Sequence, residues 1–372
     1  MNRKTETLLA FVLVLAGTGV ARAFEDYSGH WGGTWSPYGQ FAPSVIGVGD
    51  GTGHKFAAVD NANSNSRLGF VMKRALGRGE FRFRFETGLG LRQSSEVSQA
   101  FTGDALDWTG SDIRFLDLIW DLGPVGTFSV GHGSMATDQV ALADLSGTVL
   151  VTGVSVPDMA GSFLFRTTGG VLSPVSVKSA YKTYDGIRRA RLRFDRPVAR
   201  VAGLTLSVSA GAEILKKNNT ETNVDVAATY ERTTARFRME GAIGASLTRQ
   251  NNRVTRNDVV GSFSLLHRPS GVSVTAAAST SNTGGRMSYL KLGYLADLVA
   301  AGPTAISLDI YDGADIAVPG SRSRAWGVGI VQHLARPDIE IYLGARRYSY
   351  SDGSPLSYRP LRAIQFGTRW QF

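Results

Sequence analysis

The sequence predicts an all-β fold, a transmembrane antiparallel β-barrel of about sixteen strands. Three observations predict it. Apolar and polar residues alternate with a period of two in run after run. Beyond the N-terminus no apolar stretch approaches the ~20 residues of a spanning helix, and only helices and closed barrels satisfy their backbone inside lipid. The chain ends on one more alternating run whose last residue is an aromatic, Phe372.

The first 23 residues read as a processing segment. Arg3 and Lys4 form a basic start, an apolar stretch runs from Leu8 to Ala21, and Ala21-Arg22-Ala23 is an A-x-A-like cleavage site. That stretch is too short for an anchor. The expected organisation is a signal peptide at 1–23 and a single barrel domain at 24–372. Residues 28–53, with Trp31, Trp35 and many glycines, do not read as a clean first strand. The absence of cysteine removes disulfides, thiolate nucleophiles and cysteine-based metal sites. Net charge is +9, and about +7 once Arg3, Lys4, Arg22 and Glu6 are set aside. Such a balance often marks nucleic-acid binding. Here the arginines form neither a tail nor a helical stripe; they occupy alternate positions in strand-like runs, so no nucleic-acid partner is expected.

Residues 80–91, EFRFRFETGLGL, show the pattern at its clearest. Phe81, Phe83, Phe85, Leu89 and Leu91 share one parity, and Glu80, Arg82, Arg84 and Glu86 the other. Successive strand side chains point to opposite faces, so one face is apolar and the other charged. In 188–195, Ala190, Leu192 and Phe194 oppose Arg189, Arg191, Arg193 and Asp195. In 204–214, Leu204, Leu206 and Val208 oppose Thr205, Ser207 and Ser209, and in 235–247, Phe237, Met239 and Ile243 oppose Arg236, Arg238 and Glu240. Weaker versions occupy 223–231, 258–266, 272–279, 288–298, 304–311 and 337–347. A soluble sheet also alternates, but a long series of such segments with Arg and Glu side by side fits apolar faces toward lipid and polar faces toward a hydrated lumen. Polar, Gly- or Pro-bearing connectors fall between them at 60–65, 216–220, 250–253, 281–285, 312–320 and 351–355. At the end, Ile364, Phe366, Thr368, Trp370 and Phe372 share one face.

Two stretches carry a family resemblance. Ser66-Arg67-Leu68-Gly69-Phe70, then Gly79 and the run to Glu86, look like early strands of the general bacterial porins. Val125-Gly126-Thr127-Phe128-Ser129-Val130-Gly131-His132-Gly133 resembles the fifth strand of that family. Ser134 to Asp138 and Ala143 to Thr148 are similar to the start of the long third loop in its alphaproteobacterial branch. The terminal strand resembles the signal that outer-membrane barrel-assembly machinery recognises, centred on Phe372. The resemblance implies a sixteen-stranded, usually trimeric barrel in the outer membrane of a Gram-negative bacterium, with the third loop folded into the lumen. It also implies passive diffusion of small hydrophilic solutes and ions. Sixteen strands would leave about 22 residues for each strand and its connection, against roughly 9–11 for a tilted spanning strand.

The expected third loop, 133–161, is long for a connection, and loops of that length are usually functional or disordered. It carries Asp138, Asp144 and Asp158 and no Lys or Arg. Folded inward, it would bring Asp138 or Asp144 near Arg82 or Arg84, which are the candidate constriction; as a surface loop its acids would simply be solvated. Glu86, Arg191, Arg193, Arg236 and Arg238 are candidate lumen charges, some of them without a selective role. Rings and clusters of charge set pore selectivity, and the basic excess points to mild anion preference. The connector at 92–111 is long enough to latch onto a neighbouring subunit. A substrate-specific channel on the same barrel would need a lumen run of aromatics, which is not evident. A barrel enzyme would need a catalytic set. There is no G-x-S-x-G, no H-E-x-x-H and no paired His among His30, His54, His132, His267 and His333. GVGDGTGHK at 47–55 lacks the G-K-[ST] of a phosphate loop. No cofactor or metal is expected.

Overall fold

β-branched and aromatic side chains alternating with small polar ones suit a strand with one face in oil and the other in water. The computed structural model forms a strand wherever that pattern recurs. It describes residues 26–30, 32–335 and 338–372; the expected signal peptide and Trp31 lie outside the described residues. Sixteen antiparallel strands close into a barrel, two of them interrupted. β1 is Thr34–Phe41 with Pro43–Gly49, and β2 is His54–Asp60 with Arg67–Leu76. Then follow β3 (Gly79–Gly88), β4 (Ile113–Asp121), β5 (Thr127–Ser134), β6 (Arg188–Pro197), β7 (Leu204–Ala212), β8 (Thr222–Thr233) and β9 (Phe237–Arg249). The ring continues through β10 (Thr255–His267), β11 (Val272–Ser281), β12 (Arg286–Val299), β13 (Gly302–Ala314), β14 (Arg322–Leu334), β15 (Ile339–Ser351) and β16 (Leu361–Gln371). Each strand pairs with the next, and β16 closes on β1, with Gln371 opposite Gln40 and Arg362 opposite Gly49.

The outward parity exposes Leu206, Val208, Ile243, Leu290, Leu308 and Ile364, while the inward parity buries Ser207, Ser209, Ser264, Thr275, Ser307 and Gln365. That inversion of the water-soluble pattern is what a lipid-facing barrel requires. One α-helix is found among the described residues, the single turn Val177–Ala180.

Two sequence expectations change here. Residues 28–53 do contain the first strand. It breaks at Ala42, whose N–H donates to Ser66 Oγ at 2.8 Å, and its two halves pair with the two halves of β2. The segment 60–65 is accordingly no connector but a jog inside β2. Asp60 accepts from Ser66 N–H at 2.7 Å and Oγ at 2.6 Å, and Asn61 caps the short turn Ala62–Ser64. Local side-chain bonds satisfy this polar run, so the chain has no need to reverse. β14 escaped the alternation because Gly327 and Gly329 occupy its inward positions and dilute the polar contrast, although Trp326, Val328 and Ile330 face out.

On one rim the connections are short: 77–78, 122–126, 198–203, 234–236, 268–271, 300–301 and 335–338. On the other they are 50–53, 89–112, 135–187, 213–221, 250–254, 282–285, 315–321 and 352–360. The connection after β5 is thus longer than the expected 133–161. It includes a hairpin, Leu164–Thr167 and Leu172–Ser176, that pairs with Tyr358–Arg359 of the last connection.

Candidate functional site

Connection 135–187 packs on the buried face of the wall from β7 to β15. Ala136 N–H donates to Ser209 Oγ on β7 at 2.8 Å, and Leu145 N–H to Ser264 Oγ on β10 at 2.9 Å. Lys291 Nζ on β12 donates to Asp144 Oδ2 at 2.7 Å and to the Thr152 carbonyl at 2.8 Å. Thr148 and Ser307 on β13 share a hydroxyl bond of 2.7 Å, and Tyr348 on β15 donates to the Val156 carbonyl at 2.8 Å. Asn61, in the β2 jog, donates to the Leu150 carbonyl at 2.8 Å. Small inward residues make room for this packing. A Cβ on Gly344 would stand 2.5 Å from Val151 Cβ, and one on Gly329 2.7 Å from Val151 Cγ2, inside any real contact distance.

The wall from β2 to β6 keeps long charged side chains instead. Arg84 on β3 and Arg191 on β6 both bind Asp117 of β4, at 2.8 and 2.7 Å, and the Asp117 side chain is 0% exposed. Glu86 takes an ion pair from Arg114, lies 3.7 Å from Arg67, and accepts from Tyr38 OH at 2.9 Å. By parity Arg114 would face out. A register shift opposite Glu86 and Thr87 inserts one extra residue there, and such a bulge re-aims the side chain. Inward Phe115 carries the Arg84 guanidinium 3.6 Å above its ring centroid, with that of Arg188 at 5.2 Å, a cation–π arrangement. Arg193 pairs with Asp195 at 2.8 Å and donates to the Met135 carbonyl at 2.8 Å, where the long connection begins.

Several sequence-predicted residues fall where parity puts them. Glu86, Arg189, Arg191 and Arg193 lie on the buried face, and Arg189 binds Glu213 at 2.7 Å and Glu221 at 2.9 Å. Neither Asp138 nor Asp144 forms an ion pair with Arg82 or Arg84. Asp138 accepts from Ser134 Oγ at 2.6 Å and faces Arg188 at 3.7 Å. Asp144 is held by Lys291, Arg84 by Asp117, and Arg82 by Glu80 and by Asp121 at 3.0 Å, toward the short-turn rim. Carboxylates on the same strand and on β4 already hold those arginines. Arg238 is at the end of β9, half-exposed and paired with Glu240 at 2.6 Å. Arg236 is not a lumen residue; it sits exposed in the turn 234–236, because the chain reverses where the alternation continues unbroken in the sequence. Asp117, Arg114 and Lys291 were missed. Asp117 sits among Phe115, Ile119 and Asp121 on a mixed face, which blurs parity.

Two loop carboxyls are displaced. Burial pushes Asp185 up to about 7, despite the Ala141 and Gln139 amides that it accepts from at 2.8 Å, with Asp138 adding repulsion. Burial likewise raises Asp158 to about 7, against the pull of Arg346. In 50–53, burial opposes ionisation of Asp50, yet Arg166 and the Gly53 and Thr52 amides hold it down to about 2. Residues 89–112 fold partly onto their own chain: Ser94 Oγ donates to the Asp158 carbonyl at 2.6 Å and Gln99 Nε2 to the Leu164 carbonyl at 2.7 Å. Phe101, Leu106 and Trp108 remain exposed there.

The sequence matches the family model described as Gram-negative porin over residues 9–353. Among solved structures, the anion-selective porin from Comamonas acidovorans is 13% identical; the match covers 91% of this chain and 100% of that one, with a TM-score of 0.60. The high-pH structure of Pseudomonas putida OprB is 9% identical, over 91% and 94% of the two chains, with a TM-score of 0.61. A trimer form of the Vibrio cholerae outer-membrane protein OmpT is 10% identical, over 92% and 100%, with a TM-score of 0.54. At these identities the likeness shows the fold. No curated protein sequence matches the chain.

Proposed function

Because this chain belongs to the Gram-negative porin family and is a passive diffusion channel of the outer membrane, we propose that its passage runs between connection 135–187, folded into the lumen, and the arginine wall of β2 to β6, and that it prefers small anions. One observation carries the preference: four arginines share two carboxylates, Arg84 and Arg191 on Asp117, Arg67 and Arg114 on Glu86. The excess positive charge sits on a low-dielectric wall that focuses its field into the channel. In this reading Arg84 with Arg188 and Asp138 borders the narrow part, Asp144 anchors the loop, and Arg82 belongs to the short-turn mouth. The bonds from Ser209, Ser264, Lys291 and Ser307 to the connection support the inward fold.

The test is the zero-current potential of the purified protein in a planar bilayer under a tenfold KCl gradient. An anion-selective sign is expected, fading toward 1 M salt as the Debye length falls from about 10 Å at 0.1 M to about 3 Å. A cation-selective sign at low salt overturns the reading.

The assembly proposed is a homotrimer. Its support is the outward aromatic cluster of Tyr27, Trp35, Phe70, Phe83 and Phe85, with ring centroids 5.7 to 5.9 Å apart, together with the trimeric neighbour. Residues 1–23 act as a signal peptide in this proposal, and the strand ending in Phe372 addresses the barrel to its assembly machinery.

A further inference from the structure

A cavity of about 430 Å³ lies among the long connections, lined by none of the arginines of β2 to β6. Connection 135–187 borders it, together with residues of the connections 250–254, 282–285 and 315–321. Its shape is fixed by the fold. Tyr184 has a φ of +54°, a left-handed conformation that a bulky residue rarely adopts. From there its hydroxyl donates to the Gly284 carbonyl at 3.1 Å, and a Cβ on Gly285 would run into that hydroxyl. Lys182 is clamped by its backbone: its N–H donates to Tyr311 OH at 3.1 Å, and its carbonyl accepts from the same hydroxyl at 2.8 Å. Connection 135–187 is thus tied to its neighbours on two sides of the cavity.

The charges that line it are opposite in sign and do not meet. Among the described residues the Asp158 carboxylate makes no hydrogen bond and no ion pair, and neither does the Lys182 ammonium. Arg256, at the start of β10, spends Nε on Asp258 at 2.8 Å, and its Nη groups bond nothing described. Asp185, also at the cavity, is already occupied by the Gln139 and Ala141 amides. Burial raises the Asp158 carboxyl to about 7, with only Arg346 pulling the other way. A carboxyl in that position gains from a cation brought to it.

A simple anion would satisfy Lys182 and Arg256 and leave Asp158 bare, and a simple cation would do the reverse. We propose that this cavity is a binding site for a small zwitterion, a free α-amino acid, with its ammonium on Asp158 and its carboxylate between Lys182 and Arg256. Hydrogen bonds between ionised partners are the strong ones, and small-molecule pockets run from roughly 300 to 1,000 Å³. The site is independent of the sign of selectivity in the passage, so either reading can fail alone.

The experiment is equilibrium dialysis of labelled probes against the purified full chain in mild detergent. The probes are alanine, alaninamide, which lacks the carboxylate, N-acetylalanine, which lacks the ammonium, and glucose, which has neither. Alanine is expected to bind about tenfold or more tighter than each of the others, the scale of one lost hydrogen bond to a charged group. Asp158→Asn removes a charge but no bond of the protein; it should cost alanine and alaninamide about tenfold and leave N-acetylalanine unchanged. Lys182→Gln with Arg256→Gln should weaken alanine and N-acetylalanine and leave alaninamide unchanged. Lys182→Gln alone, at an exposed side chain, should give part of that loss. An unchanged thermal melt of the β-sheet circular-dichroism signal certifies that a variant folds. Alaninamide on a par with alanine means a plain cation site, N-acetylalanine on a par with it a plain anion site, and glucose on a par with it a neutral-solute pocket; each overturns the proposal. So does wild-type affinity for alanine in Asp158→Asn, or no retention of alanine by wild type at millimolar concentration.

Discussion

Replacing Lys291 by Met should loosen the central part of connection 135–187 far more than any other single change to its anchors. The Lys291 side chain is 0% exposed, and its ammonium binds Asp144, 6% exposed, at 2.7 Å, as well as the Thr152 carbonyl at 2.8 Å. Removing one partner of a buried ion pair strands the other charge, at about 3–5 kcal/mol. With tenfold per 1.4 kcal/mol, the segment 144–152 should open about a hundred- to a few-thousand-fold more often. A neutral hydroxyl anchor contributes only about 0.5–1.5 kcal/mol, so Ser307→Ala should change opening by no more than about tenfold. Hydrogen–deuterium exchange of the Val151 and Thr152 amides, both bonded to the Thr148 carbonyl, reads this directly. Removing both charges, Lys291→Met with Asp144→Leu, should recover most of the protection, because a deleted pair leaves no buried orphan. Exchange in Lys291→Met within about threefold of wild type would refute the reasoning, and a double variant as fast as the single one would show that stranded charge is not the cause.

Asp117→Asn removes the carboxylate shared by Arg84 and Arg191, so the zero-current potential should move further to the anion side; a move toward cations would contradict the assignment of that wall to the passage. Asp158 and Asp185 are raised from 3.8 to about 7 by burial. A raised carboxyl favours the folded form while protonated, so docking of the connection should be strongest below about pH 4, weaken as pH rises toward 7, and stay level above it. Amide exchange in 135–187, corrected for intrinsic rate, should show that slope, and Asp158→Asn with Asp185→Asn should flatten it; an unchanged slope would remove both residues from the explanation. Phe70→Ala with Phe83→Ala should lower the temperature at which subunits separate on a gel, provided wild type runs as an oligomer in mild detergent; a wild type seen only as monomer by crosslinking defeats the trimer.

Much of the barrel was legible because a spanning strand writes its two environments into adjacent residues. Arg84 and Arg191 face inward as their parity requires, and the run at 125–133 that resembled a fifth strand is β5, Thr127–Ser134. Parity fails where one residue is inserted or the chain turns. The bulge at Arg114 reverses a side chain that local alternation would send outward, and Arg236 kept the rhythm of a strand while sitting in a turn. The jog at 60–65 read as a connector because polar residues that bond their own backbone look the same in either role.

Sequence by itself determined the all-β class and which face of most strands meets lipid, since both depend on neighbours one or two positions away. It also determined the basic excess, a sum indifferent to folding. Tertiary structure alone decided which carboxylate answers which arginine. Asp117 meets Arg191 across a separation of 74 residues, and Asp144 meets Lys291 across 147. Such partners are chosen by strand order and by the path of one long connection, and no local pattern encodes either.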